Sequence, residues 1–250
     1  MTKIAREDTR LYNSPMLPAF SVVIPCFNEA ARIGDTIRAT LDYLLQISPA
    51  SELMVVNDGS TDATSTVARE ALAAAKIETR LLENFPNRGK GAAVRKGLLA
   101  AQKSIALFFD ADLSTPLAET PKVIGPVAND DVDLAFGSRA LDRSLIGHRQ
   151  PWRREQAGRV FNLLARVTTG LPFWDTQCGF KAFRLDVCRP ILEAARIEGF
   201  AFDVELLFLA RRGGLRLREI PVRWNHCEGS KVHFIHDSLR MLREVIALRL

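Results

Sequence analysis

Short apolar runs alternate along this chain with longer segments whose apolar residues recur at helical spacing. Residues 20–24, Phe-Ser-Val-Val-Ile, form a β-branched run that stops at Pro25, which predicts a buried strand. From 30 to 45, Ile33, Ile37, Leu41, Leu44 and Leu45 recur with helical period, and 53–56 then read as a second strand ending in Asn57, Asp58, Gly59 and Ser60. The unit repeats: a helix over 62–75, a strand near 79–82, a helix over 92–101, and an apolar strand over 105–109 running into Asp110. Strands alternating with helices of this length predict an α/β fold with a mostly parallel sheet covered on both faces. Ligands of such sheets sit beyond the carboxyl ends of the strands. Those ends carry Asn28 and Glu29, Asn57 and Asp58, and Asp110 and Asp112.

From 131 the alternation loosens. A strand over 134–136, a basic loop, a helix over 154–168 and a strand over 179–183 are followed by helices over 186–195 and 202–212, a strand over 217–224 and an amphipathic helix over 236–250. The expected organisation is a polar leader (1–19), one domain over 20–230 with halves 20–130 and 131–230, and a C-terminal amphipathic helix (231–250). No internal repeat or low-complexity segment interrupts it.

Composition adds little until charge is mapped. Of 250 residues, 47% are hydrophobic and 25% charged, as in a packed globular domain. No apolar run approaches the roughly 18–20 residues of a membrane-crossing helix, and the N-terminus has no signal-peptide core, so a cytoplasmic location is expected. The 4 cysteines form no CxxC pair and no zinc-type ligand set, which predicts reduced thiols. Net charge is only +5, yet Arg139, Arg143, Arg149, Arg153, Arg154, Arg159 and Arg166 are opposed within their span by Asp142 and Glu155 alone. Such a block suits a phosphate-rich partner or an anionic membrane surface; the alternative is a solvated basic face.

Asp110-Ala-Asp112 ends an apolar strand with two carboxylates on one side of an extended backbone. Their mutual repulsion is relieved by a hard divalent cation that also binds diphosphate oxygens. At the tip of the second strand, Asp58 is placed to accept hydrogen bonds from a base or ribose, and Asp62 to cap the next helix. Asn87-Arg88-Gly89-Lys90-Gly91 precedes a helix and combines cations with a positive helix terminus, which favours phosphate. It is neither a Walker A loop nor a dinucleotide fingerprint. Asp175 and Asp203 supply carboxylates in the second half, where Arg139 and Lys181 accompany them. The 4 histidines show no metal-ligand spacing and are read as structural or solvent-facing.

Four ordered motifs, VVIPCFNEA at 22–30, VVNDGSTD at 55–62, NRGKGAAVRKG at 87–97 and DADLSTP at 110–116, resemble inverting family 2 glycosyltransferases of the GT-A fold. GSRA at 137–140, DTQCGFKAFR at 175–184, FAFDVELL at 200–207 and EGSK at 228–231 are similar to dolichyl-phosphate β-glucosyltransferases and bacterial polyprenyl-phosphate relatives. The likeness runs from about 20 to the C-terminus. It implies a GT-A, Rossmann-like fold whose first half binds a nucleotide-sugar and whose second half handles the acceptor. It also implies that Pro25, Asn28, Glu29 and Asp58 line the nucleoside pocket, that Lys90 lies near the diphosphate, and that Asp110 approaches the ribose. Asp112, with Asp110, would hold Mg²⁺ or Mn²⁺. Arg139, Gln177 and Lys181 would face the acceptor phosphate or the sugar, with Ser230 and Lys231 closing over the site. Many relatives read DADG where Leu113 stands here, and eukaryotic ones typically begin with a membrane anchor.

The expected reaction is transfer of glucose from UDP-glucose to a polyprenyl phosphate. GDP-mannose or UDP-N-acetylglucosamine donors, and a hydroxyl acceptor on a saccharide or small molecule, are alternatives within the class. A hydroxyl acceptor would require a base, for which Asp175 and Asp203 are the candidates; a lipid phosphate would not. A lipid acceptor is met at a bilayer, so the helix carrying Arg153, Arg154, Arg159 and Arg166 with Trp152, Phe161 and Leu164, and the C-terminal helix with Arg240, Arg243 and Arg249, are expected to attach peripherally to the cytoplasmic membrane face. Outside the class, a non-catalytic basic module that binds nucleic acid or membrane phosphates is the competing reading. No nucleic-acid motif is present, so no nucleic-acid partner is expected. Oligomeric state is left open.

Overall fold

A computed structural model describes residues 16–148, 150–227 and 234–249. The strands are β1 (Ser21–Cys26), β2 (Glu52–Asn57), β3 (Glu78–Glu83), β4 (Ile105–Phe109), β5 (Leu134–Ser138), β6 (Phe180–Arg184) and β7 (Leu217–Pro221). They form one sheet in the order β3-β2-β1-β4-β6-β5-β7. Only β6 runs against the others. Because β4 pairs directly with β6, the sheet runs without a break across the boundary expected at 130/131.

The helices are α1 (Ile33–Ile47), α2 (Thr64–Ala73), α3 (Lys90–Ala100), α4 (Thr120–Ala128), α5 (Trp152–Thr169), α6 (Leu185–Ala194), α7 (Phe202–Arg212) and α8 (Phe234–Ala247). Strand side chains alternate between two apolar cores, as a period of two requires. Val23, Met54, Val56 and Phe108 pack on one face under α3, α5, α6, α7 and α8. Val22, Ile24, Val55 and Phe109 pack on the other under α1, α2 and α4. Phe108 stacks on Phe183 and meets Phe202 at a tilt, tying β4, β6 and α7 together in the first core.

Two elements depart from the sequence expectation. α4 was not anticipated because it contains Pro121 and Pro126, yet Pro121 falls in its first turn, where a missing amide hydrogen costs nothing. Val123, Ile124 and Val127 at helical spacing were the signal for it. The last strand is shorter than 217–224: it stops at Pro221, and Trp224 only bridges to Ile146.

Candidate functional site

The site opens where β1 and β4 part. Their pairing runs from Ser21 opposite Ala106 to Val23 opposite Phe108, whereas β1 stays paired with β2 as far as Cys26 opposite Asn57. Pro25, buried in β1 just past that point, has no amide hydrogen to extend the ladder. β2 and β4 flank β1 on opposite sides, so this is the topological switch point at which α/β sheets leave a crevice.

The loops after β1 and β2 are stitched together. Asn28 adopts a left-handed φ of 53°; its amide donates to Ser60 Oγ (2.8 Å), and its Oδ1 accepts from the Thr61 amide (2.8 Å). The Glu29 amide donates to Thr64 Oγ1 (2.7 Å), and its side chain pairs with Arg32 (2.8 Å). Asp62 accepts from the Thr64 amide (3.0 Å), although the N-cap position of α2 is Ala63.

Asp58 is buried at the tip of β2, and its carboxylate organises the next loop. Oδ1 accepts from Asn84 Nδ2 (2.7 Å) and the Arg88 amide (3.2 Å); Oδ2 accepts from Asn87 Nδ2 (2.8 Å) and the Gly89 amide (2.7 Å). A carboxylate has about four acceptor positions, and all are used. Asp58, expected at the nucleoside, thus holds the fold of residues 84–89 from the tip of β2. Asn84 and Asn87, unremarked in the sequence, are its partners. Gly59, at φ 71°, lets the two loops touch, since a Cβ there would stand 2.6 Å from the Asn87 nitrogen.

The start of α3 also differs from expectation. The Gly91 and Ala92 amides donate to the Glu198 carbonyl (2.8 and 3.3 Å), so the terminus read as a phosphate cradle is already capped by the chain itself. What this loop delivers is Lys90, whose Nζ lies 2.6 Å from Asp110 Oδ1. Burial alone would lower the Lys90 pKa, but Asp110 and Asp203 outweigh it and hold the ammonium above its usual range.

Asp110 opens a tight turn and Asp112 sits within it, closed by the Leu113 amide on the Asp110 carbonyl (3.2 Å), so the backbone is not extended across the pair as expected. Asp112 Oδ1 accepts from the Ser114 amide (2.9 Å), and Leu113 between them has φ 50°. That left-handed value is easy for glycine and strained for leucine. Residues 225–227 fold back onto the turn: the Asn225 amide donates to the Ser114 carbonyl (2.8 Å), and Cys227 Sγ lies 3.3 Å from the Asp112 carbonyl. A small depression here is lined by Phe109, Asp110, Ser114, Thr115, Gly179 and Trp224. Ser230 and Lys231, expected to close the site, lie outside the described residues.

Metal chemistry fits this corner in a limited way. Among the described residues no three His, Cys, Asp or Glu side chains gather as a ligand set. Mg²⁺ and Mn²⁺ tolerate one or two carboxylates when phosphates and water complete the shell. Asp112 suits that role: among the described residues it makes no ion pair, and only one of its oxygens is engaged. Asp110, already paired with Lys90, is the weaker ligand.

On the acceptor side, Arg139 and Asp175 form a bidentate pair, Nε to Oδ2 and Nη2 to Oδ1 at 2.7 Å each, and the Arg139 amide adds a third bond (2.9 Å). Burial would raise the Asp175 pKa, but Arg139 prevails and holds it below the usual carboxylate range. Trp224 lies under the guanidinium, 5.6 Å away. Lys181, also expected to face the acceptor, is fully buried on β6 between the rings of Phe108 and Phe136, with its Nζ 2.6 Å from Asp203 Oδ1 and 2.6 Å from the Cys178 carbonyl. Burial pushes the Asp203 carboxyl up against the pull of Lys181 and Lys90. Both base candidates are thus ion-paired, Asp175 with Arg139 and Asp203 with Lys181. Gln177 stands half-buried in the loop before β6.

A seven-stranded α/β sheet whose switch point carries an aspartate pair and a lysine, with a half-buried arginine just past β5, suits a transferase that acts on a nucleotide diphosphate. Residues 21–192 match the family described as glycosyl transferase family 2. The chain is 36% identical to a dolichyl-phosphate beta-glucosyltransferase of Drosophila melanogaster, over 95% of this chain and 76% of that protein. It is 31% identical to the enzyme of the same name from Saccharomyces cerevisiae, over 92% and 74%. A crystal structure of glucosyl-3-phosphoglycerate synthase from Mycobacterium tuberculosis, in complex with Mn²⁺, UDP and glucosyl-3-phosphoglycerate, superposes with a TM-score of 0.64 at 24% identity, covering 93% of this chain and 78% of that one; this likeness shows the fold. The chain belongs to glycosyl transferase family 2 and is a glycosyltransferase.

Proposed function

We propose that the chain transfers glucose, with inversion, from UDP-glucose to a dolichyl-type polyprenyl phosphate, attached peripherally at the cytoplasmic face of a membrane. The observation that carries the acceptor is the locking of both base candidates: Asp175 is held by Arg139 and Asp203 by Lys181. A hydroxyl acceptor needs a base to take its proton, whereas a phosphate monoester is already anionic near neutral pH. The relatives named dolichyl-phosphate beta-glucosyltransferase support the same choice. Among the described residues no helix is long and apolar enough to cross a membrane.

In this reading a phosphate oxygen attacks the anomeric carbon from the face opposite the diphosphate, the bond from that carbon to the diphosphate oxygen breaks, and UDP departs. Lys90 places fixed positive charge where the leaving diphosphate gains negative charge, which lowers the barrier without reorganisation. Asp110 orients Lys90. A Mg²⁺ or Mn²⁺ ion on Asp112 would supply further charge neutralisation to the diphosphate. The Arg139 guanidinium, aligned by Asp175 and Trp224, receives the acceptor phosphate through its outer edge.

Purified protein with Mg²⁺ or Mn²⁺, offered UDP-glucose, GDP-mannose and UDP-N-acetylglucosamine with a short-chain polyprenyl phosphate, tests the proposal. The expected product is a glucosyl phospholipid from UDP-glucose, lowered about 10²- to 10³-fold by Asp112→Ala. Transfer from another donor corrects the sugar; transfer from none overturns the reading.

A further inference from the structure

The outer face of α5 is apolar where a surface helix is normally polar. Phe161 (7% exposed) and Ala165 face the core, so the phenylalanine read as a membrane contact is a core residue. Val160, Leu163, Leu164 and Val167, spaced i, i+3, i+4 and i+7, stand in solvent instead, Val167 at 70% exposure. Trp152 (72%) begins the stripe, and Trp174 ends it just beyond the helix. From Trp152 to Val167 the helix runs about 22 Å. The flanks are basic: Arg159 and Arg143 share Glu155 (3.0 and 2.6 Å), and Arg166 stacks on Trp174 at 4.0 Å. Residues 153–159 between Trp152 and Val160 are mostly polar, so the apolar patch proper spans Val160 to Val167, and a clustered exposed patch of this kind marks an interaction surface. Convex, aliphatic, ended by tryptophans and edged with arginine, it has the chemistry of a helix lying in a lipid interface.

We propose that this face of α5 docks on an anionic lipid bilayer and so brings the acceptor side of the site to the membrane. The inference rests on the lipid-phosphate reading above and adds the surface that meets the lipid. The arrangement of the neighbouring loop supports it. Thr176 Oγ1 donates to Asn162 on α5 (3.0 Å), Arg166 of α5 holds Trp174, and Asp175 between those two loop residues is the partner of Arg139. The stripe therefore ends within one loop of the arginine assigned to the acceptor phosphate. Charge complementarity favours an anionic bilayer over a neutral one, because Glu155 is the only acidic residue on the helix and two arginines share it.

The test uses the full chain and a Leu163→Glu/Val167→Glu variant, whose altered positions are exposed and should leave circular dichroism unchanged. Native protein is expected to cosediment with vesicles of phosphatidylglycerol mixed with phosphatidylcholine at low salt, and not with phosphatidylcholine alone. Brominated phosphatidylglycerol should quench its tryptophan fluorescence. The variant should lose vesicle binding by at least about tenfold while turning over a short, water-soluble prenyl phosphate at the native rate. Native protein that remains in the supernatant, or a variant that binds like native, overturns the proposal. A concentration-dependent dimer in sedimentation velocity, abolished by the variant and without vesicle binding, assigns the face to a second copy and also overturns it. Failure of both proteins on the soluble acceptor sinks the acceptor reading instead, and the vesicle result still decides the docking face.

Discussion

Gly179 lies so close beneath the carboxylate of Asp110 that a Cβ on it would stand 2.5 Å from Asp110 Cγ. The contact crosses from the loop before β6 to the end of β4, and the Asp110 amide donates back to the Gly179 carbonyl (3.2 Å). Glycine here lets an acidic side chain rest against backbone while its Oδ1 reaches Lys90.

Gly179→Ala is therefore expected to push the Asp110 carboxylate off Lys90 while leaving the sheet intact. A displacement near 1 Å at a reacting centre costs about 10²-fold in rate. Steady-state kinetics with unchanged far-ultraviolet circular dichroism is the check; a native rate would mean that the Asp110 position is unimportant.

Asp58→Asn keeps the shape of the side chain but turns one acceptor oxygen into a donor facing donors. At least two of the four groups now bonded to Asp58 lose their acceptor, at about 2–4 kcal/mol in all. Thermal unfolding should show that loss. Calorimetric titration with UDP and Mn²⁺ should show weaker binding, because Lys90 follows directly on Gly89. An unchanged melting temperature would contradict the loop-folding role.

The buried pair of Lys181 and Asp203 predicts a non-additive cycle. Asp203→Ala alone leaves a buried ammonium without its counter-charge and should cost about 3–5 kcal/mol. Combining Lys181→Met with Asp203→Leu replaces both charges by apolar groups between Phe108 and Phe136, and stability should return to near the native value. Urea unfolding of the single and double variants decides it; additive losses would refute the pairing.

Acid sensitivity should trace to Asp133. Hydrogen bonds from Arg216, opposed by partial burial and helped by Arg184, lower its carboxyl from 3.8 to about 2. A depressed folded pKa contributes stability that is complete above the unfolded value and disappears as pH falls through the folded one. Asp133 should thus add about 2 kcal/mol at neutral pH, lost between about pH 4 and 2. Asp133→Asn should be less stable than native at pH 7, with the gap closing across that window; a constant gap in unfolding midpoints would exclude the assignment.

The order of the elements was readable in the residues because period two and period 3.6 are local properties of the backbone, and the motif loops fall at strand ends for the same reason. α4 was missed because prolines hid a helix whose first turn tolerates one of them. The site was only partly legible. Asp110 and Lys90 meet at the ends of neighbouring elements, and Asp112 lies in the turn that follows Asp110. The partners that the sequence left open, those of Asp58, Asp175, Lys181 and Asp203, lie 26 to 36 residues away or, for Lys181 and Asp203, across from one another on β6 and α7.

What the sequence determined by itself is the α/β architecture and the polar ends of its strands, since both follow from residue spacing along a single chain. Which carboxylates remain open and which are consumed by buried cations, and which apolar residues of α5 face water, only the tertiary structure decided. Burial and charge pairing depend on distances through space, and a linear pattern of residue types leaves those distances unspecified.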